Sequence, residues 1–106
     1  MRHLNWQKIL TVTKFVFSKT ATDNLITQAK YIYTQTKNIN AADKYLEKMK
    51  TFIIEILSNF PKSGRPSEDI APDTRKLVYQ GFSIIYRLKE DRAEILTIYR
   101  ENKVTF

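Results

Sequence analysis

The chain has 106 residues, no cysteine, and a formal net charge of +7 from 18 basic and 11 acidic side chains. This length predicts a single domain over residues 1–106, and the missing cysteine excludes a disulfide framework, a thiolate zinc site and a cysteine nucleophile. The positive charge favours a negatively charged partner, either nucleic acid or an acidic protein, although a basic surface can also serve solubility alone.

The first stretch of the chain predicts a leader followed by a strand. Residues 1–10 show no clear period and lack both the continuous apolar core and the small-residue cleavage site of a signal peptide. Residues 11–18, TVTKFVFS, are rich in β-branched and aromatic side chains, which predicts a strand. No run in the sequence is long and apolar enough to span a membrane, so we expect a cytoplasmic protein.

Two helices are predicted next, over residues 20–36 and 41–60. Either Ser18 or Thr20 could cap the first helix, and Thr20 with Asp23 gives the better capping-box pattern. Asn40 is a candidate cap for the second helix. Pro61 ends the second helix, and the short polar segment between the helices predicts an antiparallel hairpin. The second helix carries one wide apolar stripe, formed by Ala42, Tyr45, Met49, Phe52, Ile53, Ile56, Leu57 and Phe60.

A loop over residues 61–73 contains all three prolines and one of the two glycines of the chain. Its SGRP segment has a single glycine and is not followed by Lys-Ser or Lys-Thr, so it does not match a phosphate-binding P-loop. Arg65 is expected to anchor this loop by pairing with Glu68 or Asp69.

Beyond the loop the pattern changes to a period of two, so residues 74–102 predict a three-stranded antiparallel meander. The strands are predicted over 74–80, 82–89 and 93–100, with turns at Gly81 and 90–92 and a tail over 103–106. The order of elements is that of an α+β domain: an N-terminal strand, an antiparallel helix hairpin and the meander, with the hairpin on one face of the sheet.

Strict alternation assigns the strand residues to two faces. One face is predicted to pack on the helices and holds Phe82, Ile84, Tyr86, Leu88, Ile95 and Tyr99. The other is predicted to hold Ser83, Ile85, Arg87, Lys89, Leu96, Ile98 and Arg100. Because this second face is partly apolar and partly basic, a binding partner could cover it.

The sequence supports few catalytic chemistries. His3 is the only histidine, which leaves no metal site and no Ser/His/Asp arrangement, and we expect no cofactor. Basic residues alternate with tyrosines around the meander, namely Arg65, Arg75, Lys76, Arg87 and Arg100 with Tyr79, Tyr86 and Tyr99. These side chains could bind and polarise a phosphodiester, or they could be the amphipathic edge of the core; both interpretations stay open.

The chain contains, in this order, FVFSKTATDNL, AADKYLEKM, L-x-x-F-P-x-x-GRP, TRKLVYQGFSIIYRL and EILTIYREN. Together these motifs resemble the ParE branch of the ParE/RelE toxin superfamily over about residues 13–102. The resemblance implies a RelE/ParE-like fold and a type II toxin that a small antitoxin wraps and neutralises. It further implies one of two activities, since ParE-like members inhibit DNA gyrase and RelE-like members cut mRNA on the ribosome.

Two departures from the RelE-like pattern favour a non-enzymatic inhibitor. RelE-like ribonucleases carry a catalytic arginine two residues after the glycine that precedes the I-x-Y strand, where this chain has Ser83. They also end in a basic tail with a catalytic tyrosine. Here the tail keeps Arg100 and Lys103 but has Glu101, and no tyrosine follows Tyr99.

The resemblance leads to an expected hetero-oligomer with the antitoxin and to two sets of candidate contacts. The contacts to gyrase, or to gyrase-bound DNA, are expected at Arg75, Arg87, Tyr99 and Arg100, together with the tail after Asn102. The contacts to the antitoxin are expected at Lys37, Lys44, Lys48, Ile85, Leu96 and Ile98. Two alternatives are a ribosome-dependent mRNA endonuclease, with Arg65, Arg75, Arg87 and Arg100 holding phosphate, and a non-toxic basic module that binds nucleic acid.

Overall fold

A computed structural model describes residues 12–100, in which two helices pack on one face of a five-stranded sheet. The elements are β1 (Lys14–Phe17), α1 (Lys19–Thr36), α2 (Ile39–Asn59), β2 (Arg65–Pro66), β3 (Thr74–Tyr79), β4 (Phe82–Lys89) and β5 (Arg92–Arg100). The predicted α+β order is confirmed, with the short strand β2 added inside the predicted loop. The predicted leader and tail lie outside the described residues. Neither helix combines the length and apolar content needed to cross a bilayer.

Each helix begins slightly earlier than predicted because a different residue caps it. Ser18, rather than Thr20, is the N-cap of α1, and its Oγ accepts the backbone N–H of Ala21 at 3.0 Å. Asn38, rather than Asn40, caps α2, and its Oδ1 accepts the backbone N–H groups of Asn40 and Ala41 at 2.9 and 3.2 Å. Lys37 ends α1 in the left-handed region with φ 56°, so only two residues join the helices.

The sheet is mixed, with strand order β1-β5-β4-β3-β2. Strands β3, β4 and β5 form the predicted antiparallel meander, while β1 adds to one edge parallel to β5 and β2 adds to the other edge antiparallel to β3. The β3–β4 turn consists of Gln80 and Gly81, whose φ angles of 48° and 84° are both positive. Such angles fit the twist of a two-residue hairpin, which explains the glycine.

Strand β5 contains a bulge that the alternation of its sequence does not reveal. Ile84 pairs with Ile98 and Tyr86 pairs with Ile95. A step of two residues along β4 therefore corresponds to a step of three residues along β5. The extra residue reverses the alternation after Leu96. Ile98 therefore lies in the core beside the helices, and its predicted place on the opposite face is wrong.

The same reversal moves the last two residues of β5. Arg100 pairs with Phe82 on the helix side of the sheet, and its guanidinium lies 5.1 Å from the centre of the Phe82 ring. Tyr99 pairs with Ser83 on the face away from the helices. The predicted faces of Tyr99 and Arg100 are thus exchanged.

Side chains of α1 and its cap satisfy the backbone groups at the bulge. Ser18 Oγ donates to the carbonyl of Leu96 at 2.7 Å. Asn24 Oδ1 accepts the N–H of Ile98 at 2.9 Å and the hydroxyl of Thr97 at 3.1 Å. Backbone groups without a cross-strand hydrogen bond need such partners. The bulge and the start of α1 therefore form one hydrogen-bonded unit.

The core lies between the helix hairpin and the sheet. The predicted inward face of β4 is confirmed, because Phe82, Ile84 and Tyr86 belong to the core and Leu88 packs against it. The other main contributors are Leu25, Met49, Ile53, Leu57, Leu77, Ala93 and Ile95.

Candidate binding surfaces

The proline-rich loop is tied to the sheet by Tyr86. The Tyr86 hydroxyl accepts the N–H of Gly64 at 3.0 Å and donates to the carbonyl of Pro61 at 2.7 Å. A Cβ added to Gly64 would lie 2.7 Å from Tyr86 Cε1 and 3.0 Å from the carbonyl oxygen of Lys76, so this approach requires glycine. Burial raises the pKa of the Tyr86 hydroxyl above its ordinary value, and the hydrogen bond from Gly64 opposes this shift.

A second tie comes from Arg75 and not from Arg65. Arg75 Nη1 donates to the carbonyl of Gly64 at 2.6 Å and to that of Lys62 at 3.3 Å. Within residues 12–100, Arg65 forms no ion pair with Glu68 or Asp69, so the predicted anchor is wrong in that form. The exposed Arg65 side chain belongs to β2, which holds the loop through backbone pairing with β3.

The first candidate surface, here called the basic cleft, lies at the end of β3 and β4 that adjoins the loop. It has a volume of about 360 Å³ and is lined by Lys62, Arg75, Arg87 and Lys89, with Glu68 and Asp73 among the other lining residues. Arg87 Nη2 donates to the carbonyl of Pro72 at 3.3 Å, and its Nη1 lies 4.0 Å from Glu94. Both arginines of this cleft are therefore held in place by other groups.

The four predicted gyrase contacts fall into two places. Arg75 and Arg87 line the basic cleft, whereas Tyr99 and Arg100 lie at the far end of β5. Arg100 pairs with Phe82, five positions from Arg87 along β4, which corresponds to about 16 Å at 3.3 Å per residue. Tyr99 and Arg100 are both exposed.

The second candidate surface, here called the helix–sheet cleft, lies where Arg100 reaches the helices. It has a volume of about 610 Å³ and contains residues of α1, α2, the β3–β4 turn, β4 and β5. Tyr45 of α2 contributes to it, with its ring centre 6.0 Å from that of Phe82. The sequence pattern predicted Tyr45 only as part of the apolar stripe of α2.

The third candidate surface, here called the α2 groove, has a volume of about 550 Å³ and contains two of the predicted antitoxin lysines, Lys44 and Lys48. The rings of Phe52 and Tyr79, which also line it, stack with their centres 4.1 Å apart. Lys37, the third lysine of the set, is exposed where the two helices join. Glu47 and Glu55 also line this groove, so its two lysines lie beside two acidic side chains as well as an apolar floor.

The apolar members of the predicted antitoxin set are less accessible than expected. Ile98 is 2 % exposed because the bulge turns it into the core. Ile85 is 1 % exposed on the central strand, between its cross-strand neighbours Lys76 and Thr97. The prediction that these two residues form an exposed apolar face is wrong, and only Leu96 of the three is partly exposed.

The position of the RelE-like catalytic arginine is also buried. Ser83 is 0 % exposed on the central strand, between Val78 and Tyr99 in the neighbouring strands. In the part of the chain that the structure describes, no group of three or more histidine, cysteine or acidic residues is arranged to hold a metal ion.

Comparison with known proteins identifies the family. A family model described as the ParE toxin of the type II toxin–antitoxin system, parDE, matches residues 15–104. The chain therefore belongs to the ParE toxin family. A search of curated proteins gave no significant match.

Solved structures share the fold. The chromosomal ParDE system from P. aeruginosa matches with a TM-score of 0.68 and 23% identity, over 86% of this chain and 98% of that chain. The RelBE2 toxin–antitoxin complex from Mycobacterium tuberculosis matches with a TM-score of 0.63 and 18% identity, over 86% and 100%. The intact E. coli RelBE complex matches with a TM-score of 0.53 and 13% identity, over 85% and 98%.

Proposed function

We propose that this ParE-family chain is a non-catalytic toxin that inhibits DNA gyrase in the cytoplasm by direct binding, and that a cognate antitoxin neutralises it. The burial of Ser83 carries the proposal. A ribonuclease of the RelE type needs a cationic group at this position that can reach the substrate, whereas a buried serine supplies neither charge nor access. Inhibition by binding needs only a complementary exposed surface.

The gyrase contact is centred on Tyr99 and Arg100. Both side chains are exposed at the end of β5, and tyrosine and arginine are the residue types that contribute most to macromolecular interfaces. Arg75 and Arg87 form a second contact through the basic cleft. Their guanidinium groups already bond to loop carbonyls, so they add fixed positive charge for gyrase or for the DNA that gyrase holds.

The antitoxin binds along the α2 groove. The net charge of +7 attracts an acidic partner, and Lys44 and Lys48 border the stacked pair of Phe52 and Tyr79. The similarity to two structures of toxin–antitoxin complexes supports a partner of this kind. Toxin and antitoxin together form a hetero-oligomer.

A second candidate function, RNA cleavage on the ribosome, is favoured by one observation. Arg75, Arg87, Lys62 and Lys89 line a single cleft of about 360 Å³, which could hold a phosphodiester. This cleft lies at the opposite end of β4 from Ser83, the position of the catalytic arginine in RelE-like enzymes.

Expression of the chain in a susceptible host distinguishes these functions. We expect a DNA-damage response with filamentation, abolished by Arg100→Ala and preserved by Lys30→Ala, which removes an exposed charge on α1. Rapid arrest of translation with codon-biased cuts in mRNA would instead establish the ribonuclease. Unaffected growth, together with nucleic-acid binding that weakens steeply with salt, would refute both toxin functions and support a nucleic-acid-binding module.

A further inference from the structure

The helix–sheet cleft has features that gyrase inhibition does not explain. It is lined by the apolar and aromatic side chains of Tyr31 and Ile32 from α1, Tyr45 from α2 and Phe82 from β4. Polar side chains, among them Gln80 and Arg100, form the rest of the lining. Its volume of about 610 Å³ is in the range of sites that enclose a peptide side chain or a small ligand.

The hydroxyl of Tyr45 is buried and has no hydrogen-bond partner. It is the one buried side-chain nitrogen or oxygen among the described residues in that condition. Proteins nearly always pair such groups, so an unpaired one needs an explanation. Burial raises the pKa of Tyr45, with the charge of Arg100 opposing the shift, so the hydroxyl keeps its proton at neutral pH and can act as a donor.

Arg100 supplies a positive charge at the same cleft. Its guanidinium lies over the Phe82 ring, and no carboxylate among residues 12–100 pairs with it. The cleft thus combines an unpaired donor, a cation and apolar walls. A carboxylate on an apolar stem matches all three, since it accepts a hydrogen bond, carries negative charge and buries its stem.

We propose that the helix–sheet cleft binds a carboxylate together with a large apolar group beside it, and that the antitoxin supplies them as an acidic residue and a neighbouring large apolar residue. Tyr45 donates to a carboxylate oxygen and Arg100 pairs with its charge, while Phe82 contacts the apolar side chain. This inference rests on the proposed antitoxin partnership. Because Arg100 also belongs to the proposed gyrase contact, an antitoxin in this cleft excludes gyrase by direct competition.

The test uses 4-phenylbutanoate as the probe and 4-phenylbutanamide as its uncharged match, each titrated into the isotope-labelled chain by NMR. We expect the carboxylate to shift resonances of cleft residues saturably and the amide to bind at least about ten-fold more weakly. Tyr45→Phe should weaken the carboxylate about ten-fold and yet raise the melting temperature of the free chain, because it removes an unpaired buried hydroxyl. Tyr33→Phe, on the exposed surface of α1, should change neither quantity.

Equal binding of the amide, or unchanged carboxylate binding in Tyr45→Phe, would show that the cleft is not a carboxylate site. The protein encoded beside the toxin gene should displace the probe; a probe that stays bound in that complex contradicts the assignment to the antitoxin. Gyrase inhibition is measured separately on the wild-type chain. Its absence while the probe still binds would refute the proposed function and leave the chemistry of the cleft intact.

Discussion

The hydroxyl of Tyr86 fixes the position of a loop that has little other regular structure. It lies between the N–H of Gly64 and the carbonyl of Pro61, and the absence of a Cβ at Gly64 allows the approach. Arg75 bonds to the same loop from the neighbouring strand. The basic cleft depends on these contacts, because Lys62 and Pro66 of the loop form part of its lining.

Replacing Tyr86 with phenylalanine should lower the free energy of unfolding by about 1–3 kcal/mol, because it leaves a buried N–H and a carbonyl without their partner. Denaturant unfolding measures this loss, and Tyr33→Phe on the exposed surface should change the free energy by less than about 0.5 kcal/mol. An unchanged unfolding midpoint for Tyr86→Phe would show that the loop does not depend on this hydroxyl.

The difference in stability between wild type and Tyr86→Phe should depend on pH. Burial raises the pKa of Tyr86 in the folded chain above the ordinary value of 10.0, so the stability from its protonated form is fully present below pH 10.0. Above that pH the unfolded chain loses this proton more readily than the folded one. The difference in stability between wild type and Tyr86→Phe should therefore shrink above pH 10.0 and stay constant below it.

At the scale of elements, the bulge in β5 joins the sheet to α1. Asn24 accepts the N–H of Ile98, and Ser18 both caps α1 and bonds to the carbonyl of Leu96. The bulge also decides which residues near the end of the strand face a partner. It turns Ile98 inward, brings Arg100 to the helix–sheet cleft and leaves Tyr99 on the opposite face.

Replacing Asn24 with alanine should destabilise the chain by about 1–2 kcal/mol, since the N–H of Ile98 and the hydroxyl of Thr97 lose their acceptor. Asn24→Asp keeps an acceptor oxygen at this position and should retain most of the stability. Thermal unfolding of both variants measures the difference. Equal losses for alanine and aspartate would contradict the role of Asn24 as acceptor.

The strands differ in how well their sequence predicts them. Alternation in β4 identifies Phe82, Ile84 and Tyr86 as core residues, because an antiparallel strand covered by helices on one face alternates strictly. The same rule fails in β5, since one extra residue inverts every later position. The adjacent apolar pair Ile95 and Leu96 is the only local sign of this break.

At the scale of the whole molecule, the candidate surfaces require contacts between distant parts of the chain. The motifs predict the family and the order of elements, and the family match over residues 15–104 confirms the family. They do not predict that Arg75 rather than Arg65 bonds to the loop, or that Tyr45 and Arg100 line one cleft. These arrangements bring together residues that are separated in sequence, and their geometry follows from strand register and helix packing. Neither strand register nor helix packing can be predicted from the spacing of residues within one segment.

Inhibition of gyrase by binding is tested most directly by the supercoiling of relaxed plasmid by purified gyrase. We expect the purified chain to inhibit supercoiling, Arg100→Ala to do so about ten-fold more weakly or worse, and Lys30→Ala to match wild type. Inhibition of gyrase is contradicted if supercoiling is unaffected at concentrations of the chain that arrest growth, and most clearly if the same preparation cuts mRNA on ribosomes.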